Sequence, residues 1–316
     1  MLWADSLSLA WRAIVAQRLR SFLTLLGIAV GIAAVILLTS IGEGIHRFVL
    51  GEFTQFGTNV ITAVPGKTKT GGAPSGLPSS ARPLSLEDVR SLERLPHVVA
   101  VTPNVRGNAE VEGNGRTRRT LVYGVNSKLP VIFKSTVQSG QFLPADDEGS
   151  ARAFVVLGAK VKNELFGSDN PLGQRLRIGG LHFRVIGVMA PKGQFLGIDL
   201  DDTVFIPAAR AQELFNREGV DEINIAAEEG VPSAIVAAAI KERLIARHGH
   251  EDFTIVTQEE MLKTLSNILN VLTMAVGALG GISLLVGGVG IVTIMTIAVT
   301  ERTGEIGLLV ALGAPR

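Results

Sequence analysis

No cysteine occurs among the 316 residues, which excludes disulfides, thiolate nucleophiles and cysteine-ligated metals. Aromatic side chains make up 5%, too few for the stacking platforms that hold single-stranded nucleic acid. Charged residues reach only 19%, below the roughly 25% of an average soluble protein. Their near balance, net +1 at pH 7, leaves no global field to hold a polyanion or an acidic partner. The length suffices for two average domains, and hydrophobic residues account for 47%. That excess is concentrated in two places, so a purely soluble enzyme is a poor fit. A membrane protein or a membrane-anchored domain is expected.

Phe22 to Ile41 is a run of twenty residues without a charge. As a helix it rises about 30 Å, the thickness of the hydrocarbon core. Arg12, Arg18 and Arg20 precede it as they would precede a cleaved signal. The run, however, exceeds the roughly 7–15 residues of a signal core, and no small-residue cleavage site follows. A retained span is expected over 21–45. The second uncharged stretch is longer, thirty-seven residues from Thr264 to Thr300. Its helix starts earlier, because Thr257 and Glu260 fit a capping box with Thr257 as N-cap. An unbroken helix from Gln258 to Val299 has 42 residues and a length of about 63 Å, twice what the bilayer core takes up. Half of it must then stand outside lipid as a stalk, carrying Asn267 and Asn270, with Val276–Val299 in the membrane. Stalk and second span together occupy 257–300.

The basic residues set the orientation. Arg12, Arg18 and Arg20 before the first span, with Arg302 and Arg316 after the second, place both ends in the cytoplasm. The domain over 46–256 is then periplasmic or extracellular. Residues 1–20 carry Leu7, Trp11, Ile14 and Val15 at helical spacing. They read as an amphipathic helix along the inner leaflet or as an extension of the membrane helix. Gly27 and Gly31 are four apart, as are Gly277 and Gly281, the spacing that lets helix backbones approach closely. With Gly287, Gly288 and Gly290 they exceed what an anchor needs and point to partner helices, from a second copy or from further chain. Tolerated membrane glycine is the plainer alternative.

The middle reads as an α+β module. Residues 66–83 form a Gly/Pro/Ser-rich loop, expected to be mobile. Ser85 caps a helix with Leu86, Val89, Leu92 and Leu95 on one face and Pro96 at its end. Strands are expected at His97–Val105, Ala153–Leu157, Gln174–Ile178, Leu181–Met189, Thr203–Ile206, Asp221–Ala227 and Phe253–Val256. Asn114-Gly115 marks a hairpin. Helices are expected at Ala159–Phe166, Ala208–Asn216 and Pro232–Arg247. Helices alternating with hairpins argue for a mixed or antiparallel sheet and against a doubly wound parallel one.

Catalytic motifs are missing. Gly66-Lys67-Thr68 lacks the glycine that a phosphate loop needs five positions earlier, where Ile61 stands. His248 and His250 read as exposed side chains at a helix end in preference to a metal pair. Asp199, Asp201 and Asp202, and separately Asp146, Asp147 and Glu148, lack the spacing of a calcium loop and read as solvated turns. No G-x-S-x-G elbow is present. Neither a catalytic residue, nor a metal, nor a cofactor is expected.

The tail from Glu301 to Arg316 reads ERTGEIGLLVALGAPR, a short helix across the inner membrane end with its charges at the start. Ile306, Leu309 and Val310 share a face. The tail resembles the coupling helix of MacB/FtsX-type ABC transporter permeases, whose pattern is E-R-T-x-E-I-G-x-x-x-A-L-G-A. Ser283–Ile291 is similar to that family's second span, and Arg18–Ile28 with Ser40–Gly44 to its first. Gly57-Thr58-Asn59 and Val64-Pro65-Gly66 resemble the start of its extracytoplasmic domain. Leu157-Gly158, Leu165-Phe166-Gly167 and Asn170-Pro171-Leu172-Gly173 resemble its internal signature. Order and spacing extend the likeness over the whole chain. Gly304, Leu309 and Val310 stand where the family often carries basic residues.

The resemblance implies a non-catalytic, MacB-like permease subunit in the inner membrane: two transmembrane helices flanking a large α+β domain. A separate cytoplasmic ABC ATPase would push on 301–316 through Glu301, Arg302, Glu305, Ile306 and Leu309. The long helix would carry the displacement outward. The resemblance further implies a second permease copy, surrounding lipid and no nucleic acid. In the efflux branch it also implies a periplasmic adaptor and an outer-membrane channel, with drugs, peptides or other periplasmic substrates as cargo. Other branches release lipoproteins or act on cell-wall hydrolases in division. Family members carry four spans, so two are expected of a fragment, a truncated frame or half of a split permease. A two-span sensory receptor with an outer ligand domain explains the topology equally well, though the tail lacks the heptads of a coiled-coil relay. A membrane-anchored enzyme comes third, for want of a catalytic set.

Overall fold

The computed structural model describes residues 15, 18–55, 59–66, 82–145, 151–195 and 198–313. Nearly all of the 1–20 helix, the loop at 66–83 apart from its ends, the acidic run Asp146–Glu148 and Arg316 lie outside the described residues. Chain order runs α1 (Arg18–Gln55), β1 (Val60–Pro65), α2 (Leu86–Leu92), β2 (Val98–Gly113), β3 (Arg116–Val125), α3 (Leu129–Ile132), β4 (Val137–Gly140), β5 (Phe154–Leu157), α4 (Ala159–Phe166), β6 (Arg175–Ile178), β7 (Leu181–Met189), β8 (Gln194–Phe195), β9 (Ile198–Asp199), β10 (Thr203–Pro207), α5 (Ala208–Phe215), β11 (Glu222–Ala227), α6 (Ser233–His248), β12 (Phe253–Thr257), α7 (Gln258–Glu301) and α8 (Thr303–Ala311). Two units form: Phe48–Leu265, and Met1–Arg47 with Ser266–Arg316.

The first unit is built on a mixed ten-stranded sheet in the order β12-β1-β11-β2-β3-β10-β5-β7-β4. β6 bridges β7 back to β2, so that β2, β3, β10, β5, β7 and β6 close a ring. Among the described residues, only β3 with β10 and β5 with β7 run parallel. β2 and β3 meet at Asn114 and Gly115, both at positive φ (50° and 71°), a turn whose twist matches that of a hairpin. Side chains alternate across the strands. Ile61 and Ala63, Val101 and Val105, and Ile223 and Ile225 are buried on one face. There they join Val89 and Leu92 of α2, Leu165 and Phe166 of α4, Ala211 of α5 and Ile240 of α6. A smaller cluster on the other face gathers Val125, Leu129, Leu143, Val156 and Met189. The sequence reading did not anticipate β1, α3, β4 or the β8–β9 hairpin, and β2 is much longer than the expected His97–Val105.

α2 carries a full capping box. Asp88 N donates to Ser85 Oγ at 3.2 Å, and Ser85 N donates to Asp88 Oδ2 at 2.9 Å. The same carboxylate reaches α6, accepting from Arg247 Nε at 2.6 Å and lying 3.2 Å from His248 Nε2. His248 Nδ1 lies 2.8 Å from Asp252 Oδ1. His248 is therefore buried between two carboxylates, a correction to the expected exposed histidine; of the pair, only His250 is exposed. α6 ends against α2, and the turn into β12 brings Asp252 back onto the ring. Burial alone would raise the Asp88 carboxyl. Hydrogen bonds from Arg247, Ser85 and His248 outweigh it and hold the group below the ordinary carboxylate range.

In the second unit, α1 is a single helix of 38 residues, so the expected boundary at 45 falls inside it. Gly42 and Gly44 stay helical, and the Glu43–Arg47 pair at 2.6 Å supports that turn from the outside. α7 has 44 residues, about 66 Å, and opens with the expected box. Glu260 N donates to Thr257 Oγ1 at 3.1 Å, and Thr257 N donates to Glu260 Oε2 at 3.2 Å. Both α1 and α7 are long and apolar enough to cross a membrane. They touch at Gly280, where a Cβ would lie 2.4 Å from Val35 Cγ2 and 3.9 Å from the Gly31 carbonyl. His46 Nε2 and Ser266 Oγ are 3.4 Å apart.

Replacing Asp88 by Asn leaves Arg247 and His248 facing a neutral amide. The expected loss is about 3 kcal/mol, read as a lower thermal midpoint of the Phe48–Leu265 unit. Because the folded carboxyl titrates below its unfolded value, its contribution is present at neutral pH and vanishes as pH falls below about 4. The wild-type midpoint should therefore drop in that acid window more steeply than that of Asp88→Asn. For the helix pair, a His46→Cys/Ser266→Cys protein should cross-link oxidatively without background from other thiols. Adding Gly280→Leu should cut the yield severalfold; an unchanged yield would exclude the Gly280–Val35 contact.

Candidate functional site

The five tail residues expected to meet an ATPase lie on one exposed tip. α7 ends at Glu301, and Arg302 leaves helical geometry (φ −104°, ψ 6°) before α8 begins. The joint is tight. Arg302 N still donates to the Val299 carbonyl at 3.1 Å, and Ile306 N donates to the Arg302 carbonyl at 2.9 Å. Glu305 occupies the first turn of α8, where a helix favours negative charge, and stands 3.8 Å from Arg302. Both side chains are about three-quarters exposed, so the pair adds little stability. Ile306, Leu308, Leu309, Val310 and Leu312 are all exposed. A short helix this apolar on its open sides needs lipid or protein against it.

The four glycines expected to pack against neighbouring helices separate into two groups. Gly31 is buried and its carbonyl lies at the α1–α7 contact, where its counterpart is Gly280. At Gly27, Gly277 and Gly281 a Cβ would meet no atom of another element within 4 Å among the described residues, so this pair of helices leaves them open.

Chemistry-bearing side chains of the larger unit serve its architecture. Arg118 donates Nε and Nη2 to the two carboxylate oxygens of Asp202 at 2.7 and 2.6 Å, a bidentate pair. That hydrogen-bonded partner holds the Asp202 carboxyl below its ordinary range. Lys160 Nζ donates to Asp199 at 2.8 Å, and Asp201 accepts from the backbone N–H of Lys192 and Gly193 at 2.8 and 3.1 Å. These aspartates are thus not solvated turns as expected: Asp202 and Asp199 fasten the loop before β10 to β3 and α4, and Asp201 fastens it to the loop after β7. Arg118 and Lys160 sit far away in sequence, which hid their pairing with Asp202 and Asp199. Gly158 belongs to the same junction. A Cβ there would lie 2.3 Å from the Asp201 carbonyl, which accepts from Lys160 N at the start of α4.

A row of polar side chains on the second face of the sheet was not expected from the sequence. Thr62 Oγ1 donates to Asn224 Oδ1 at 2.9 Å, and Asn224 and Asn104 both donate to Glu222 Oε1, at 3.2 and 2.8 Å. The available signal was the alternation of Thr, Asn and Glu with buried aliphatic residues along β1, β2 and β11.

The sequence profile of the MacB-like periplasmic core domain matches residues 21–243. The pyoverdine export ATP-binding/permease protein PvdT of Pseudomonas entomophila is 36% identical over 314 residues, covering 98% of this chain and 47% of that protein. The macrolide export ATP-binding/permease protein MacB of Marinobacter nauticus is 35% identical, over 99% of this chain and 48% of that protein. The chain thus spans about half the length of the curated relatives it matches. In fold, it is similar to the periplasmic region of MacB from Actinobacillus actinomycetemcomitans, with TM-score 0.58 and 22% identity over 69% of this chain and 98% of that one. The extracellular domain of the transporter YknZ from Gram-positive bacteria gives TM-score 0.51 at 19% identity, over 63% of this chain and all of that domain. With a matching profile over most of its length and relatives above one-third identity from end to end, this chain belongs to the MacB-like family of ABC transporter permeases, as a membrane protein bearing that family's periplasmic core domain.

Proposed function

We propose that the chain works as a mechanical transmission in an export system. ATP-driven displacement enters at 301–316, travels along α7 and changes the posture of the periplasmic domain. The observation that carries this reading is the continuity of α7 from the sheet's edge strand to Glu301. Inside lipid each backbone group must be bonded within the helix, so the segment is stiff along its axis where it crosses. Glu301, Arg302, Glu305, Ile306 and Leu309 are the residues we assign to the ATPase contact. Hydrolysis itself is assigned to an ABC ATPase partner in the cytoplasm.

Export of small molecules is favoured by the relatives, which are named for pyoverdine and macrolide export. In this reading a periplasmic adaptor and an outer-membrane channel complete the path. A second permease copy meets the faces marked by Gly27, Gly277 and Gly281. Both termini are cytoplasmic, as Arg18, Arg20 and Arg302 beside the apolar segments favour.

The orientation is tested with single cysteines, which the cysteine-free chain accepts without background. Val131→Cys and Leu312→Cys replace exposed residues. An impermeant maleimide should label the first in intact spheroplasts and the second only after lysis; labelling of both from one side would end the proposal. Transmission is tested in the assembled transporter. Glu305→Lys should abolish export while membrane insertion and ATP binding persist. Leu265→Pro, in the outer part of α7, costs about 3 kcal/mol or more of helix stability and should also stop export with ATP binding intact. Export at the wild-type rate in both variants would overturn the transmission reading.

A further inference from the structure

The sheet face that carries the polar row also forms the floor of a cavity of about 400 Å³, within the range of small-molecule sites. Its aromatic side is built by Tyr123 and Phe205, stacked at 5.9 Å, with Phe133 beyond α3. Met189 and Met261, the latter from the first turn of α7, also line it. Such a lining suits a ring-bearing apolar body.

The polar contacts define what that body should carry. Asn104 lines the cavity and is 8% exposed. Its neighbour Glu222 offers only acceptors, so the Asn104 atom 2.8 Å away is the amide nitrogen. That leaves Asn104 Oδ1 as the buried side-chain polar atom that lacks a hydrogen-bond partner among the described residues. A buried acceptor left unpaired is costly and uncommon, and a donor on a bound molecule would satisfy it. The charged groups on the walls are already engaged. Glu222 accepts from Asn104 and Asn224 and lies 3.5 Å from Arg106. Lys134 lies 3.8 Å from Glu229, and Asp201 accepts from two backbone N–H groups. Lys192 donates to the Phe133 carbonyl and to Ser135 Oγ, and burial lowers its ammonium to about 8. An ionic ligand would find its counter-charge occupied.

We infer that this cavity binds a small neutral molecule with an apolar ring-bearing body and one N–H or O–H donor, which bonds to Asn104 Oδ1 and contacts the first turn of α7. The inference stands apart from the transmission reading, because binding requires neither an ATPase nor export.

The test uses the full chain in lipid nanodiscs and the fluorescent probe N-phenyl-1-naphthylamine, which has fused and single rings and one N–H. A saturable component of one probe per chain, above that of empty discs, is expected. The N-methyl derivative keeps the rings and loses the donor, and should bind about tenfold more weakly. Ala190→Trp, which fills the cavity from the loop after β7, should remove the saturable component at an unchanged thermal midpoint. Saturating probe should also slow amide hydrogen exchange in 102–106 and 258–262 and leave α6 unaffected. Absence of a saturable component, equal affinity for the N-methyl derivative, or protection confined to other segments would overturn the inference. If Ala190→Trp lowers the midpoint, the exchange measurement on wild-type protein decides.

Discussion

The capping box at Thr257 is the joint on which the rest depends. Thr257 is the last residue of β12, where it pairs with Ile61 of β1, and it is also the N-cap of α7. Sheet and helix therefore share a residue, with no linker in between to absorb a displacement. The two reciprocal hydrogen bonds with Glu260 satisfy donors that a helix start otherwise leaves to water. In the proposed transmission, an axial movement of α7 would pull on a strand whose neighbours continue through β1 and β11 into β2. A flexible connection at this point would let the helix move while the domain stayed still.

Beyond that joint, the domain resists deformation through contacts that link elements distant in sequence. β6 closes the ring between β7 and β2, and Arg118 and Lys160 anchor the loop before β10 through Asp202 and Asp199. On the opposite flank, Asp88 ties the start of α2 to the end of α6, and Asp252 ties that helix end to the turn into β12. The segment immediately before the joint is thus held by a buried carboxylate–imidazole–carboxylate chain. This places a buried polar fastening of the unit one strand away from the start of the long helix.

What could be read from the sequence was local. The boxes at Ser85 and Thr257, the Asn114-Gly115 hairpin and the helix at Ala159–Phe166 each rest on residues close together in the chain, and all were legible. The two apolar runs were equally plain because lipid imposes a length and forbids charge. Long-range pairing was not legible. His248 looked exposed because Asp88 lies 160 residues away, and the aspartates before β10 looked solvated because Arg118 and Lys160 are elsewhere in the chain. The helix α1 continues past 45, the expected end of the first span, because the backbone at Gly42 and Gly44 remains helical. The glycine spacings did not point to Gly280, since which face of a helix meets its neighbour is a tertiary property. The cavity left only a faint trace, an alternation of polar and aliphatic residues on three strands that come together through the sheet order alone.

The tail carries no basic side chain at Gly304, Leu309 or Val310, and the structure gives that composition a physical sense. Its one ion pair among the described residues, Arg302 with Glu305, closes on itself at the joint and leaves the outer face to Ile306, Leu308, Leu309 and Leu312. A contact made by such a face gains its free energy from burying apolar area, which acts in every direction and does not depend on screening by salt. In the proposed mechanism that face seats in an apolar groove, beside the charged contact assigned to Glu301, Arg302 and Glu305. The break at Arg302 then has a use, since it lets α8 settle at its own angle while α7 keeps the unbroken backbone bonding that the membrane demands.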